Sequence, residues 1–272
     1  MPRKTVSNFF VEYMYILSRI FKGVKLKAYY HAHELAYQQI KSRKQLGWGN
    51  AQTLDQLGDQ QTHSYLKSMV SVLFDSAQEK SALDLGCGSG TTAFTLTRLG
   101  FSVTGIDISE TAIEMARDLA DKQSLKIQFQ THDILQLEKL NKKFDLIYDS
   151  HCLHCIVFEQ DRSDVFRGVK NSLNDSGVFI LDTMIMSEKC DPIRGYDSLR
   201  FDKDYILWHK TKEAIYRGVV EIDGEYWCAQ RRIYPLEKVI DEVLHAGFSI
   251  VSKKVDSNNE YEPDKLRLVL KL

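Results

Sequence analysis

The chain has 272 residues, 43% of them hydrophobic, enough for one large domain with a sizeable core. Charged residues make up 27% and cancel to a net charge of −1, which excludes a wholly disordered chain, and four prolines with fifteen glycines exclude collagen-like and proline-rich sequences. Five cysteines, an odd and sparse set, point to a reducing cytoplasmic setting and not to a disulfide scaffold.

No apolar run reaches the ~18 residues of a membrane span, and the N-terminal apolar stretch, interrupted by Glu12, does not read as a signal peptide. Residues 8–22 (NFFVEYMYILSRIFK) carry a polar stripe of Asn8, Glu12, Arg19 and Lys22, spaced for one side of a helix. The remaining face needs burial against the body or a partner, which leaves a homodimer open. Residues 30–45 and 58–76 also read as helices, separated by a glycine-rich turn at 47–50 that holds Trp48. Residues 1–80 are therefore expected to form a helical cap. The first fifty residues hold nine Lys and Arg against Glu12 and Glu34, an excess of seven, so the rest of the chain carries −8. Such an arm attracts acidic substrates, membranes or nucleic acid, and an ordinary solvated helix face has the same pattern.

From residue 81 the rhythm changes. Strand-like SALDL (81–85), SVTGID (102–107), KIQFQTHD (126–133), FDLIYDS (144–150) and GVFILDTM (177–184) alternate with helical 91–100, 109–122 and 161–174. Nearly continuous apolar strands between helices predict an α/β fold, with a mostly parallel sheet and helices on both faces. Residues 185–234 break the rhythm, and Asp223-Gly224 between two strand-like runs predicts an inserted hairpin. A helix at 235–247, started by Pro235 and stopped by Gly247, precedes two segments, 248–255 and 266–272, suited to antiparallel pairing.

The informative segment is LDLGCGSG (83–90), with Gly86, Gly88 and Gly90 at a strand-to-helix junction. Glycine there permits a tight turn and close approach of a ligand to the backbone, at the sheet edge where open α/β sheets bind ligands. Carboxylates follow at successive strand ends. Asp107, with Ile108 after it, suits a ribose; Asp133, followed by Ile134, suits the amine and face of an adenine; Asp149 closes the fourth strand. As a strand-end acid, Asp107 is expected to serve a ligand and not the core. Any one of them alone is as readily a turn or cap residue.

This set resembles the class I S-adenosylmethionine-dependent methyltransferases. The glycine motif is matched by Asp84, Gly86, Gly88 and Gly90, the ribose acid by Asp107 and the adenine acid by Asp133. The resemblance implies a Rossmann-like, mostly parallel seven-stranded sheet with a C-terminal antiparallel hairpin over residues 81–272, behind an N-terminal helical cap. It implies S-adenosylmethionine as cofactor and leaves the methyl acceptor open. Gly88-Ser-Gly90-Thr-Thr-Ala93 also fits the dinucleotide G-x-G-x-x-[GA] pattern, so a nicotinamide-dependent oxidoreductase is the first rival. Asp84 speaks against it, because a carboxylate at the loop repels a pyrophosphate and attracts an ammonium or sulfonium. An RNA or protein methyltransferase using the basic arm and a non-catalytic cofactor-binding protein are the other rivals. The fourth strand leads into DSHC and not into an N/D-P-P-[YF] motif, which lowers the nucleic-acid reading.

His151, Cys152, His154 and Cys155 crowd together after the fourth strand. A closed metal site needs a second Cys/His pair nearby, which the sequence lacks, so no metal is expected. Leu153 and His154 match a pair that the family often has under the cofactor loop. His151 lies nearer the strand end, a candidate base toward the acceptor. In the family the acceptor pocket is lined by the cap and by the insertion, here at about 185–234. The insertion offers Tyr196, Arg200, Tyr205, Trp208, Tyr216, Tyr226, Trp227, Arg231, Arg232 and Tyr234. Aromatics with guanidinium groups suit a small acceptor with a carboxylate or phosphate, and equally suit a packed hairpin. Trp48 is a candidate to close over the cofactor. The expectation is a cytoplasmic enzyme acting on a small molecule, without nucleic-acid or membrane partners.

Overall fold

The computed structural model describes residues 27–272, apart from 59, 188, 192, 194, 213–217 and 258–261. The apolar helix expected at 8–22, most of the basic arm and Tyr216 lie outside the described residues.

Two helices, α1 (Ala28–Ser42) and α2 (Gln60–Leu73), precede the sheet. Then β1 (Ser81–Leu85), α3 (Thr91–Arg98), β2 (Ser102–Asp107), α4 (Glu110–Lys122), β3 (Gln128–Thr131), β4 (Phe144–Ser150), α5 (Glu159–Ser172) and β5 (Leu173–Ile185) alternate as expected. After the insertion come α6 (Leu236–His245), β10 (Ser249–Asp256) and β11 (Asp264–Lys271). The sheet order is β3-β2-β1-β4-β5-β11-β10. Its first five strands are parallel, and β11 runs antiparallel to both β5 and β10. The order reverses between β1 and β4, so a crevice opens beyond their carboxyl ends.

Alternation along β1 shows how the sheet is held. Leu83 and Leu85 enter one core, with Ile147, Phe166 and Phe179, while Ala82 enters another, with Leu96, Val103, Ile113 and Tyr148. Both faces are covered, which is why the strands read as continuous apolar runs. At the start of α4, Ser109 caps the helix, its Oγ accepting from the Ala112 N–H at 3.0 Å.

Two local expectations are corrected. The third strand is shorter than 126–133, and Asp133 lies beyond it, capping a 3-10 helix over Ile134–Leu140 with its Oδ1 accepting from the Leu135 N–H at 3.0 Å. Asp133 thus competes for strand register with its own turn, and the turn prevails. The insertion is not one hairpin but an antiparallel sheet of β6 (Leu199–Phe201), β7 (Ile206–Thr211), β8 (Val219–Ile222) and β9 (Glu225–Arg232), ordered β6-β7-β9-β8. Its β8–β9 turn is the Asp223-Gly224 pair, both left-handed at φ 55° and 77°. β9 packs against α1 and the short 3-10 turn Leu153–Cys155, which brings the insertion over the crevice. No helix of the described residues is long and apolar enough to cross a membrane.

Candidate active site

A cavity of about 590 Å³ occupies the crevice, walled by the loop after β1, the ends of β2 and β4, α1, the turn holding Trp48, and Arg231 of β9. Its floor is the glycine loop. Gly86 and Gly88 are left-handed, at φ 68° and 52°. A Cβ on Gly86 would stand 2.3 Å from the Cys152 Sγ, and one on Gly88 would stand 2.2 Å from the Tyr37 hydroxyl. Both positions therefore need glycine for φ and for space. Gly90, at φ 94°, begins α3 away from the wall, and a Cβ there would meet the Phe94 and Phe129 rings.

The carboxylates divide by surroundings. Asp107 is on the wall yet buried, with Oδ2 accepting from the Gly88 N–H at 2.9 Å and Oδ1 from the Ser109 N–H at 2.8 Å. The expectation that this acid stands apart from the core is thereby corrected: it clamps the floor to the start of α4. Burial pushes its carboxyl up, against the pull of the Ser109 N–H, His33 and the Gly88 N–H. Asp84 is also on the wall and buried, with Oδ2 accepting from the Ala93 N–H at 2.8 Å and Oδ1 without a partner among the described residues. Burial lifts its carboxyl to about 8, with Asp107 and Asp149 adding to the rise. Asp149 lies behind the wall, fully buried, accepting from the Cys152 N–H at 2.8 Å. Burial raises its carboxyl to about 7. Asp133 is on the wall with Ile108 and Ile134, and the Tyr30 hydroxyl donates to its Oδ1 at 2.8 Å.

The opposite wall comes from the preceding chain. Trp48, 53% exposed, donates its indole N–H to the buried Tyr37 hydroxyl at 2.8 Å, the rings edge to face. Tyr30, His33 and Tyr37 recur at helical spacing on one face of α1, with Glu34 beside them. Glu34 ties α1 to the floor by accepting from Ser109 Oγ at 2.7 Å and from the Thr111 hydroxyl. Burial raises the Glu34 carboxyl, and these hydrogen bonds more than reverse it, leaving it lowered. Burial lowers His33, with Asp107 opposing and Arg231 assisting. The sequence reading missed these α1 residues; the signal available was the Tyr/His stripe of YYHAHELAY.

After β4 the chain turns sharply. His151 is left-handed at φ 65°, and its N–H donates to the Asp182 carbonyl at 2.8 Å. Its ring lies on the wall with Nε2 3.7 Å from Asp182 Oδ1 and 5.7 Å, centroid to centroid, from the His154 ring. Asp182 is fully buried and also accepts from Arg267 Nε at 2.9 Å and Thr62 Oγ1 at 3.1 Å. His154 is buried, with Nδ1 3.4 Å from Thr183 Oγ1, and burial holds it well below its ordinary value, hence neutral. Burial raises the Cys152 and Cys155 thiols, so neither is a thiolate. Among the described residues no three His, Cys, Asp or Glu are grouped to hold a metal ion.

A family model described as a methyltransferase domain matches residues 76–224, more than half of the chain and all of the floor just described. The ubiquinone biosynthesis O-methyltransferase of Coxiella burnetii is 43% identical over 92 residues, 34% of this chain, and the chain spans only 37% of that relative's length. A crystal structure of an S-adenosylmethionine-dependent methyltransferase from Clostridium acetobutylicum superposes with a TM-score of 0.59 at 19% identity, covering 87% of this chain and 99% of that one. Magnesium protoporphyrin IX methyltransferase from Synechocystis, with S-adenosylhomocysteine bound, gives 0.60 at 17% identity over 88% of this chain and 96% of that one. These structural likenesses establish the Rossmann-like methyltransferase fold, and with the domain match they place the chain in the methyltransferase-domain family.

Proposed function

We propose that the chain transfers a methyl group from S-adenosylmethionine to a small-molecule acceptor in the cytoplasm, with the residues before β1 acting as a cap. The observation that carries this reading is the buried, half-satisfied Asp84 carboxyl on the cavity wall beside the glycine cradle. A buried polar atom without a partner is costly, and a ligand ammonium would supply one. The residues fit the cofactor elsewhere too. Asp107 oxygens each keep a lone pair for a ribose hydroxyl after accepting one N–H. Ile108 and Ile134 offer apolar faces for a base, and Asp133 an acceptor for its amine.

S-adenosylmethionine, when bound, supplies an electrophilic methyl group, so the protein's task is alignment and exclusion of water. Gly86 and Gly88 let the backbone close in. Trp48 and Tyr37 shield the cavity from the cap side. His151, whose ring lies on the cavity wall with Nε2 3.7 Å from Asp182 Oδ1, is the residue we assign as base for an acceptor that must lose a proton. The cavity volume falls within the ~300–1,000 Å³ usual for small-molecule sites, which favours a small acceptor. The cysteines stand free of disulfides, in keeping with a reducing compartment.

Calorimetry tests the reading. S-adenosylhomocysteine is expected to bind, and NAD and NADP are not. Tight NAD binding with no S-adenosylhomocysteine signal would overturn it.

A further inference from the structure

Four arginines sit wholly or partly inside the protein around the insertion and the sheet edge, and three of them meet a carboxylate. Arg162 reaches Glu242, Arg232 reaches Glu159, and Arg267 reaches Asp182. Arg231 is the exception: it is half-buried on the cavity wall, and among the described residues its guanidinium has no hydrogen-bond or ion-pair partner.

The backbone arranges this placement. Leu207 pairs with Arg231 and Trp208 with Ala229, so Gln230 is an extra residue on β9. A bulge of this kind breaks the strand's alternation and re-aims the next side chain, a device recurrent beside active sites. Here it sends Arg232 to Glu159 and Arg231 to the cavity. The Arg231 charge acts on His33 of α1 and on His154 and Cys155 of the turn after β4, so it lies between the cap and the β4 end. Burial already keeps both histidines below their ordinary values, so neither competes for an anion. Asp107 is held by the Gly88 and Ser109 N–H groups and Asp133 by Tyr30 and Leu135, and the half-satisfied Asp84 sits at the glycine loop, so none of the three is paired with the Arg231 guanidinium.

We propose that Arg231 is the anion-recognition residue of the acceptor pocket and that the acceptor carries a carboxylate or phosphate. The proposal rests on the methyl-transfer reading and narrows its substrate class. A planar guanidinium pairs with either anion through two parallel N–H···O bonds, stronger than neutral ones and orienting as well as holding. The competing source of the same chemistry is the cofactor's own carboxylate, and the test separates the two.

The protein is saturated with S-adenosylhomocysteine and titrated with benzoate, phenyl phosphate and, as a neutral control, benzyl alcohol. The wild type is compared with Arg231→Met and Arg231→Lys. At least one of the two anions is expected to bind the wild-type complex at least tenfold more tightly than benzyl alcohol. Arg231→Met is expected to lose at least tenfold in that affinity, about 1.4 kcal/mol, with Arg231→Lys between. S-adenosylhomocysteine affinity should stay within twofold throughout. A tenfold loss of S-adenosylhomocysteine in either variant would assign the guanidinium to the cofactor and overturn the proposal. So would anion binding that is undetectable in the wild type or equal in wild type and Arg231→Lys and Arg231→Met. Failure of the underlying reading looks different: the wild type would not bind S-adenosylhomocysteine at all.

Discussion

The floor and the roof of the cavity are built by different means. On the floor, carboxylates from strand ends grip backbone N–H groups close by: Asp107 holds Gly88 and Ser109, and Asp84 holds Ala93. On the roof, side chains grip side chains across the fold: Tyr30 to Asp133, Trp48 to Tyr37, Glu34 to Ser109. Buried bonds to the backbone lock conformation, whereas half-exposed side-chain pairs contribute less and tolerate change. The floor is thus the more rigid half of the cavity and the roof the more adaptable one.

The largest expected effect tests that contrast directly. Asp107→Ala leaves two buried N–H groups without acceptors, at about 1–3 kcal/mol each. Denaturant unfolding should show a loss of about 3 kcal/mol, and S-adenosylhomocysteine affinity should fall at least tenfold. Tyr30→Phe removes one bond from the roof and should cost about 0.5–1.5 kcal/mol. If Tyr30→Phe destabilises as much as Asp107→Ala, the division between floor and roof is wrong.

A smaller effect locates the tightest point of the floor. Gly86→Ala combines a left-handed φ of 68° with a Cβ only 2.3 Å from the Cys152 Sγ. The backbone strain alone costs about 1–2 kcal/mol, and the clash adds to it. Cys152→Ala removes the Sγ contact but leaves its own Cβ 2.7 Å from the new methyl and leaves the φ unchanged, so the double variant should recover only part of the lost stability. A double-mutant cycle measures the difference. Strict additivity of the two substitutions would show that the loop and the β4 turn do not press on each other.

The floor was legible in the sequence because it is local. Asp84 lies near the end of β1 and Gly86 and Gly88 in the loop that follows it, and glycine with a following strand-end acid has few physical uses at that edge. The roof was not, because Tyr30 meets Asp133 across 103 residues and α1 shows only a Tyr/His stripe. Asp149 shows the limit of the pattern: from sequence it matches Asp107, yet the turn through Cys152 folds over it and removes it from the wall. In the insertion the Asp223-Gly224 signal was readable, while β6, only three residues long, was too short to stand out. The bulge at Gln230 depends on a register between β7 and β9 that no single strand encodes.

The smallest effect concerns Asp84 and couples the floor to pH. Burial raises its carboxyl from 3.8 to about 8, so in the ligand-free protein it is mostly protonated at neutral pH. The folded state then holds a proton that the unfolded state releases, so this group's contribution to stability falls as pH rises from about 4 to about 8. An ammonium bound at Oδ1 favours the ionised carboxylate and reverses the balance. S-adenosylhomocysteine affinity should therefore climb up to tenfold per pH unit below about pH 8, with close to one proton released per molecule bound near pH 7, and level off above. Calorimetry in two buffers of different ionisation enthalpy counts that proton. In Asp84→Asn the proton release should vanish and the affinity should become flat over the same range. Flat affinity in the wild type, with no proton released, would mean that the ammonium is held elsewhere and that Asp84 serves only to pin the start of α3 through Ala93.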